Sequence, residues 1–100
     1  MPPFKLTVKA KSDLKNIARH TQENWGREQR NIYLKQIDDT FYTLSDSPSL
    51  GIACDQIKPG YRKFPQSSHI IYYKLGAEVK IEIIRILHKS MDAELNLSAP

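Results

Sequence analysis

The amino-acid sequence predicts an α+β fold: a strand, an α-helical hairpin, a three-stranded antiparallel meander and a short C-terminal helical turn. Three observations carry that prediction. Phe4, Leu6, Val8 and Ala10 alternate with Lys5, Thr7 and Lys9, the period-two pattern of a half-buried strand. From Ser12 to Leu44 apolar residues recur at three- and four-residue spacing, as on one face of a helix. Beyond Gly60 alternation returns in three runs separated by breaks at Pro65 and Gly76.

The two lysines suit the first strand to a sheet edge. Ser12 is placed to cap the first helix, with Asp13 in its first turn favourable to the dipole. Leu14, Ile17, Ala18, Thr21 and Trp25 form its inward stripe, Trp25 being expected in the core. Gly26 stops that helix at a position that takes positive φ. A second helix spans about Glu28 to Leu44, with Tyr33, Leu34, Ile37, Phe41 and Leu44 inward. Ser47 before Pro48 ends it, and Pro48 to Gly60 reads as a long loop.

Tyr61 to Phe64 is the next strand, ended by Pro65, and His69 to Leu75 follows. Gly76-Ala77 fits a two-residue type II′ hairpin, returning the chain into a last strand from Glu78. That strand is apolar on both faces past Ile83, because Ile84 and Ile86 join Val79, Ile81 and Ile83. Cover on both sides places it centrally. Ser90 is expected to cap the terminal turn, with Met91 and Leu95 inward. The position of the first strand in the sheet does not follow from the pattern.

One hundred residues, 40% hydrophobic and 26% charged, read as one globular domain over 1–100. No apolar run reaches the ~18–20 residues of a membrane span, and the N-terminus lacks a secretory signal pattern. Cys54 is the sole cysteine and reads as an incidental loop thiol in a reducing cytoplasm. His20, His69 and His88 are far apart in sequence, so neither a metal nor another cofactor is expected. The net charge of +4 and pI near 9.3 favour an acidic partner, whether nucleic acid or an acidic protein surface.

The last strand also carries the candidate site. Arg85 enters an apolar strand end, where a guanidinium needs either a carboxylate partner or an opening to solvent. With Arg62, His88 and Lys89 it forms the set of target-binding candidates. Both readings of Arg85 stay open, as do contact and structural roles for His88. Arg85 and His88 are separated by an odd number of positions, so on a regular strand they face opposite ways. That separation counts against a shared catalytic centre.

The run Ile84 to Asp92 resembles the end of the ParE branch of the RelE/ParE toxin superfamily. Pro48 and Gly51, Gly60-Tyr61-Arg62, and Ser68-His69-Ile70-Ile71-Tyr72-Tyr73 are similar to further landmarks of that branch, in the same order. The resemblance implies one RelE/ParE-like domain acting as the toxin of a type II toxin–antitoxin system in the bacterial cytoplasm. It implies a non-enzymatic inhibitor of DNA gyrase, neutralised by a cognate ParD-like antitoxin. The sibling RelE branch implies the alternative, a ribosome-dependent messenger endoribonuclease using Arg62, Lys63, Arg85, His88, Lys89 and Tyr72. Antitoxin contact is expected on the helical hairpin, at Trp25, Tyr33, Ile37 and Phe41, and along an open sheet edge.

Overall fold

Thr7 decides where the first strand stops. Its hydroxyl accepts from the Ala10 amide at 3.0 Å and donates to the Ile84 carbonyl at 2.7 Å. It therefore caps a helix and fastens it to the sheet at once. The structure, a computed structural model describing residues 2–98, accordingly has a short strand β1 (Phe4–Leu6) followed directly by α1 (Val8–Trp25). The strand expected to run to Ala10 is three residues long, and Ser12 is not the cap. Asp13 lies beyond the first turn, which holds no acidic residue. Ala10, Leu14 and Ile17 obey helical spacing, and this pattern wins over the alternation because Ala and Lys are poor strand formers.

Gly26, at φ +92°, separates α1 from α2 (Arg27–Asp46), the positive φ expected from sequence. A 3-10 turn (Pro48–Leu50) follows, then β2 (Ile52–Ala53), β3 (Arg62–Gln66), β4 (His69–Leu75), β5 (Ile81–His88) and α3 (Ala93–Ser98). The sheet order is β1-β5-β4-β3-β2, with β1 parallel to β5 and the remaining pairs antiparallel. The meander β3-β4-β5 is as expected, and β5 is interior, as its two apolar faces require. The expected loop contributes an edge strand of its own, β2. Pro65 does not end β3: it pairs opposite Ile70 within the strand. The β4–β5 connection is longer than a two-residue hairpin. It runs from Gly76 to Lys80, and the Gly76 amide donates to the Lys80 carbonyl at 3.1 Å.

Each sheet face has its own core. On one, Ala10, Ile17, Ile37, Phe41 and Leu44 of the helical hairpin pack on Ile71, Tyr73, Ile81, Ile83 and Ile86. On the other, Leu97 of α3 and Cys54 cover Tyr72 and Leu87. Ile83 and Ile86 share a face despite their odd separation because the pairing slips one residue between Tyr72 and Tyr73, leaving Ile84 without a partner opposite. Both adjacent tyrosines are buried, one in each core. Cys54 lies in the loop just after β2 but is buried, and burial pushes its pKa up against the opposing pull of Lys63. α3 starts under Asp92, whose carboxylate accepts from Leu95 N–H at 3.0 Å, so Ser90 is not its cap. Leu97 turns inward, whereas Met91 and Leu95 are exposed. Among the described residues no helix is long and apolar enough to cross a membrane.

Tyr73 ties the segment after α2 to the sheet. Its hydroxyl donates to Pro48 O at 2.7 Å and accepts from Gly51 N–H at 2.8 Å. A Cβ on Gly51 would overlap the Tyr73 ring, which is why a glycine fits there. Tyr73→Phe should therefore cost about 1–3 kcal/mol, since it leaves the buried Gly51 amide without an acceptor. Urea denaturation with an unchanged m-value would show that loss.

Candidate functional site

Arg85 lies on the face of β5 away from the hairpin, opposite Tyr72, yet its guanidinium reaches round to α1. Nε meets Asp13 Oδ2 at 2.8 Å and Nη2 meets Oδ1 at 3.0 Å, a bidentate ion pair. The side chains are only 15% and 11% exposed. Asp13 Oδ2 also accepts from the Ile86 amide at 3.0 Å. β1 ends at Leu6, so the carboxylate supplies the acceptor that a longer β1 would have given that edge of β5. The hydrogen bond to Asp13 holds the Arg85 pKa above its ordinary value, outweighing desolvation. The structure thus gives Arg85 the carboxylate partner that one of its two sequence readings required.

Arg62 lies at the far end of the sheet from His88, opposite Tyr73, with Nη1 donating to Gly51 O at 2.7 Å. His88 and Lys89 are exposed at the end of β5. From Tyr72↔Arg85 to His69↔His88 the register is regular, so Arg85 and His88 do point to opposite faces. The four target-binding candidates do not converge on one point: two close the β5 end, one faces α1 and one braces the loop after α2.

His88 instead meets His69 across the strand pair, ring centroids 5.4 Å apart and edge to face. Tyr33 Oη lies 2.7 Å from His69 Nδ1 and 2.9 Å from Gln66 O. Burial lowers the His69 pKa, helped by the positive potential of His88 and His20, with Asp13 opposing. Burial raises that of Tyr33, partly offset by a backbone hydrogen bond from Ser68. This cluster was invisible in sequence because its members lie 19 to 55 positions from one another. Among the described residues no three His, Cys, Asp or Glu side chains are grouped to hold a metal.

The antitoxin-binding candidates divide similarly. Ile37 and Phe41 are core residues, 1% and 2% exposed, whose outer edges line a groove between α1 and α2. Leu14, Ala18 and Leu34 complete its apolar lining, and its volume is about 300 Å³. Tyr33 is turned toward His69. Trp25 is 74% exposed at the tip of the hairpin, not in the core, because Gly26 turns the chain before the tryptophan can reach the sheet.

A strand, a helical hairpin and an antiparallel meander, with a groove on the hairpin's outer face, define the RelE/ParE-like toxin fold. A solved structure from P. aeruginosa, described as a chromosomal ParDE toxin–antitoxin system, shares this fold. Its TM-score is 0.73 at 23% identity, covering 85% of this chain and 92% of the other. The family model for the ParE toxin of the parDE type II toxin–antitoxin system matches residues 4–93. Toxin ParE1 of Caulobacter vibrioides is 35% identical over 97% of this chain and 99% of its own length. Toxin ParE1 of Mycobacterium tuberculosis is 35% identical over 94% of this chain and 96% of its own. The chain belongs to the ParE toxin family of type II toxin–antitoxin systems.

Proposed function

We propose that this toxin acts in the bacterial cytoplasm by binding DNA gyrase, without chemistry of its own, and is neutralised by a ParD-like antitoxin. Membership of the ParE family carries this reading. The dispersal of Arg62, Arg85 and His88 over two sheet faces and both sheet ends supports a binding protein over a nuclease. A nuclease must bring cationic and proton-transferring groups to one phosphate, and here Arg85 is committed to Asp13. His88 and Lys89 are the target-contact residues of this proposal, with Arg62 at the other end of the sheet and Arg85 acting through the fold. An amphipathic antitoxin helix would fill the groove over Ile37 and Phe41.

Purified toxin should inhibit gyrase supercoiling and accumulate cleaved DNA, with antitoxin reversing both, while ribosome-bound messenger stays intact. Codon-specific cuts with unaffected gyrase would establish the RelE-type alternative instead. Hydrogen exchange should show α1 and α2 amides gaining protection on antitoxin binding. Unchanged protection over residues 4–45 and across every strand would refute the hairpin as the antitoxin surface.

A further inference from the structure

The groove on the hairpin has an apolar floor and unequal charge along its two banks. The polar residues that line it are Lys15 from α1 and Asp38 from α2. Helical spacing sets Lys11, Lys15 and Arg19 in a row along the α1 bank, rising roughly 6 Å from one to the next. All three are exposed, and among the described residues none of them is paired with a carboxylate. The acidic residues of α1 stand elsewhere: Asp13 is held by Arg85, and Glu23 lies a turn beyond the row toward the hairpin tip. The α2 bank is different. Asp38 brings a negative charge to it, and Lys35 is already paired with Asp39 at 3.1 Å. Its arginines, Arg27 and Arg30, belong to the first turn beside Gly26, where Arg30 donates to Gln22 across the hairpin.

Leu14 and Ala18 line the groove, and Trp25 follows them on the same side of α1. From Leu14 to Trp25 the helix rises about 16 Å, so an occupant lying along it has roughly three turns. An apolar floor accepts any helix with an apolar stripe, and selection among such helices falls to the banks. A row of carboxylates facing α1 meets three cations, whereas the same row facing α2 meets Asp38. A cationic flank facing α1 is repelled. Exposed ion pairs contribute little singly, but several in register steer encounter and reject the wrong partner.

Taking the groove as the antitoxin's seat, we propose that what enters it is a helix of about three turns with carboxylates in a row along the flank that faces α1. Lys11, Lys15 and Arg19 are the residues that select it. They stand outside both cores, so replacing them leaves the fold in place. Their contribution falls as salt rises, while that of the apolar floor does not.

The test uses the full chain and three helix-stapled synthetic peptides of roughly fifteen residues, all with one Leu and Ala stripe. One flank carries Glu, Gln or Lys, the other carries Gln throughout, and capped ends keep terminal charges out. Isothermal titration at about 0.1 M salt should show the Glu peptide binding about tenfold tighter than the Gln peptide, with the Lys peptide weakest. At about 1 M salt the three should converge, because the screening length drops to about 3 Å. The triple variant Lys11→Gln, Lys15→Gln, Arg19→Gln should melt like the parent and bind the three peptides alike, whereas Asp38→Asn keeps the preference for Glu. Amide shifts at Ala18, Leu34 and Phe41 report a peptide seated in the groove. Peptides that shift those amides with no preference for Glu, or a preference that survives the triple variant, would overturn selection by α1 and leave the groove reading standing. Peptides that fail to shift them would overturn both.

Discussion

Replacing Arg85 with methionine should destabilise the toxin by about 3 kcal/mol, the low end of the cost of stripping one partner from a buried ion pair, since this pair is 15% and 11% exposed. Methionine keeps much of the aliphatic stem, so the loss reports the charge and its hydrogen bonds more than the packing. Of the three donors described on Asp13, it leaves the Ile86 amide, against a carboxylate that is largely out of solvent. The corresponding double variant, Arg85→Met with Asp13→Leu, should recover part of this, because no charge remains to desolvate. A coupling of about 0.5–3 kcal/mol is the range found between contacting residues. Guanidinium denaturation of the four proteins closes the cycle, and a growth assay beside it completes the reading. If Arg85→Met loses less than about 1.5 kcal/mol, the range of a volume-conserving swap, and still abolishes toxicity, the guanidinium acts on the target directly.

The second large effect separates the core beneath the hairpin groove from its surface. Phe41→Ala should cost about 3–5 kcal/mol. The ring is 2% exposed and packs on Phe4 with centroids 5.2 Å apart, so its removal opens a cavity under both helices. Such a variant would lose antitoxin binding merely by losing the fold. Leu34 is the informative neighbour: it lines the same groove but is only half buried on α2. Leu34→Lys should leave the unfolding midpoint within a few degrees of the parent, an effect near 1 kcal/mol or less. It should weaken antitoxin binding at least about tenfold, equivalent to ~1.4 kcal/mol. Isothermal titration and thermal melting on one preparation distinguish the two positions. A Leu34→Lys variant that binds as tightly as the parent moves the antitoxin off this groove.

The sequence by itself determined the order of the major elements, the meander, the break at Gly26 and the interior position of β5. These follow from local rules: hydrophobic period, the steric freedom of glycine and the two apolar faces of one strand. The resemblance in Ile84 to Asp92 pointed to the right family for a related reason, since a run of contiguous residues can be read without knowing its neighbours. What the sequence left undecided, or placed wrongly, depends on contacts between distant positions. Thr7 reads as the polar face of a strand until Ile84, 77 positions away, offers its carbonyl. Asp13 reads as a residue of a helix start until Arg85 and the Ile86 amide converge on it across 72 and 73 positions. Trp25 reads as core by its helical spacing and residue type, but at the hairpin tip it is exposed. The pairing of His69 with His88 requires the β4–β5 register, which slips by one residue and so could not be counted out along the chain. Side-chain periodicity is a property of a segment, whereas the partner of a charge is a property of the fold. Only the tertiary structure could decide that Arg85 spends its charge inside the protein.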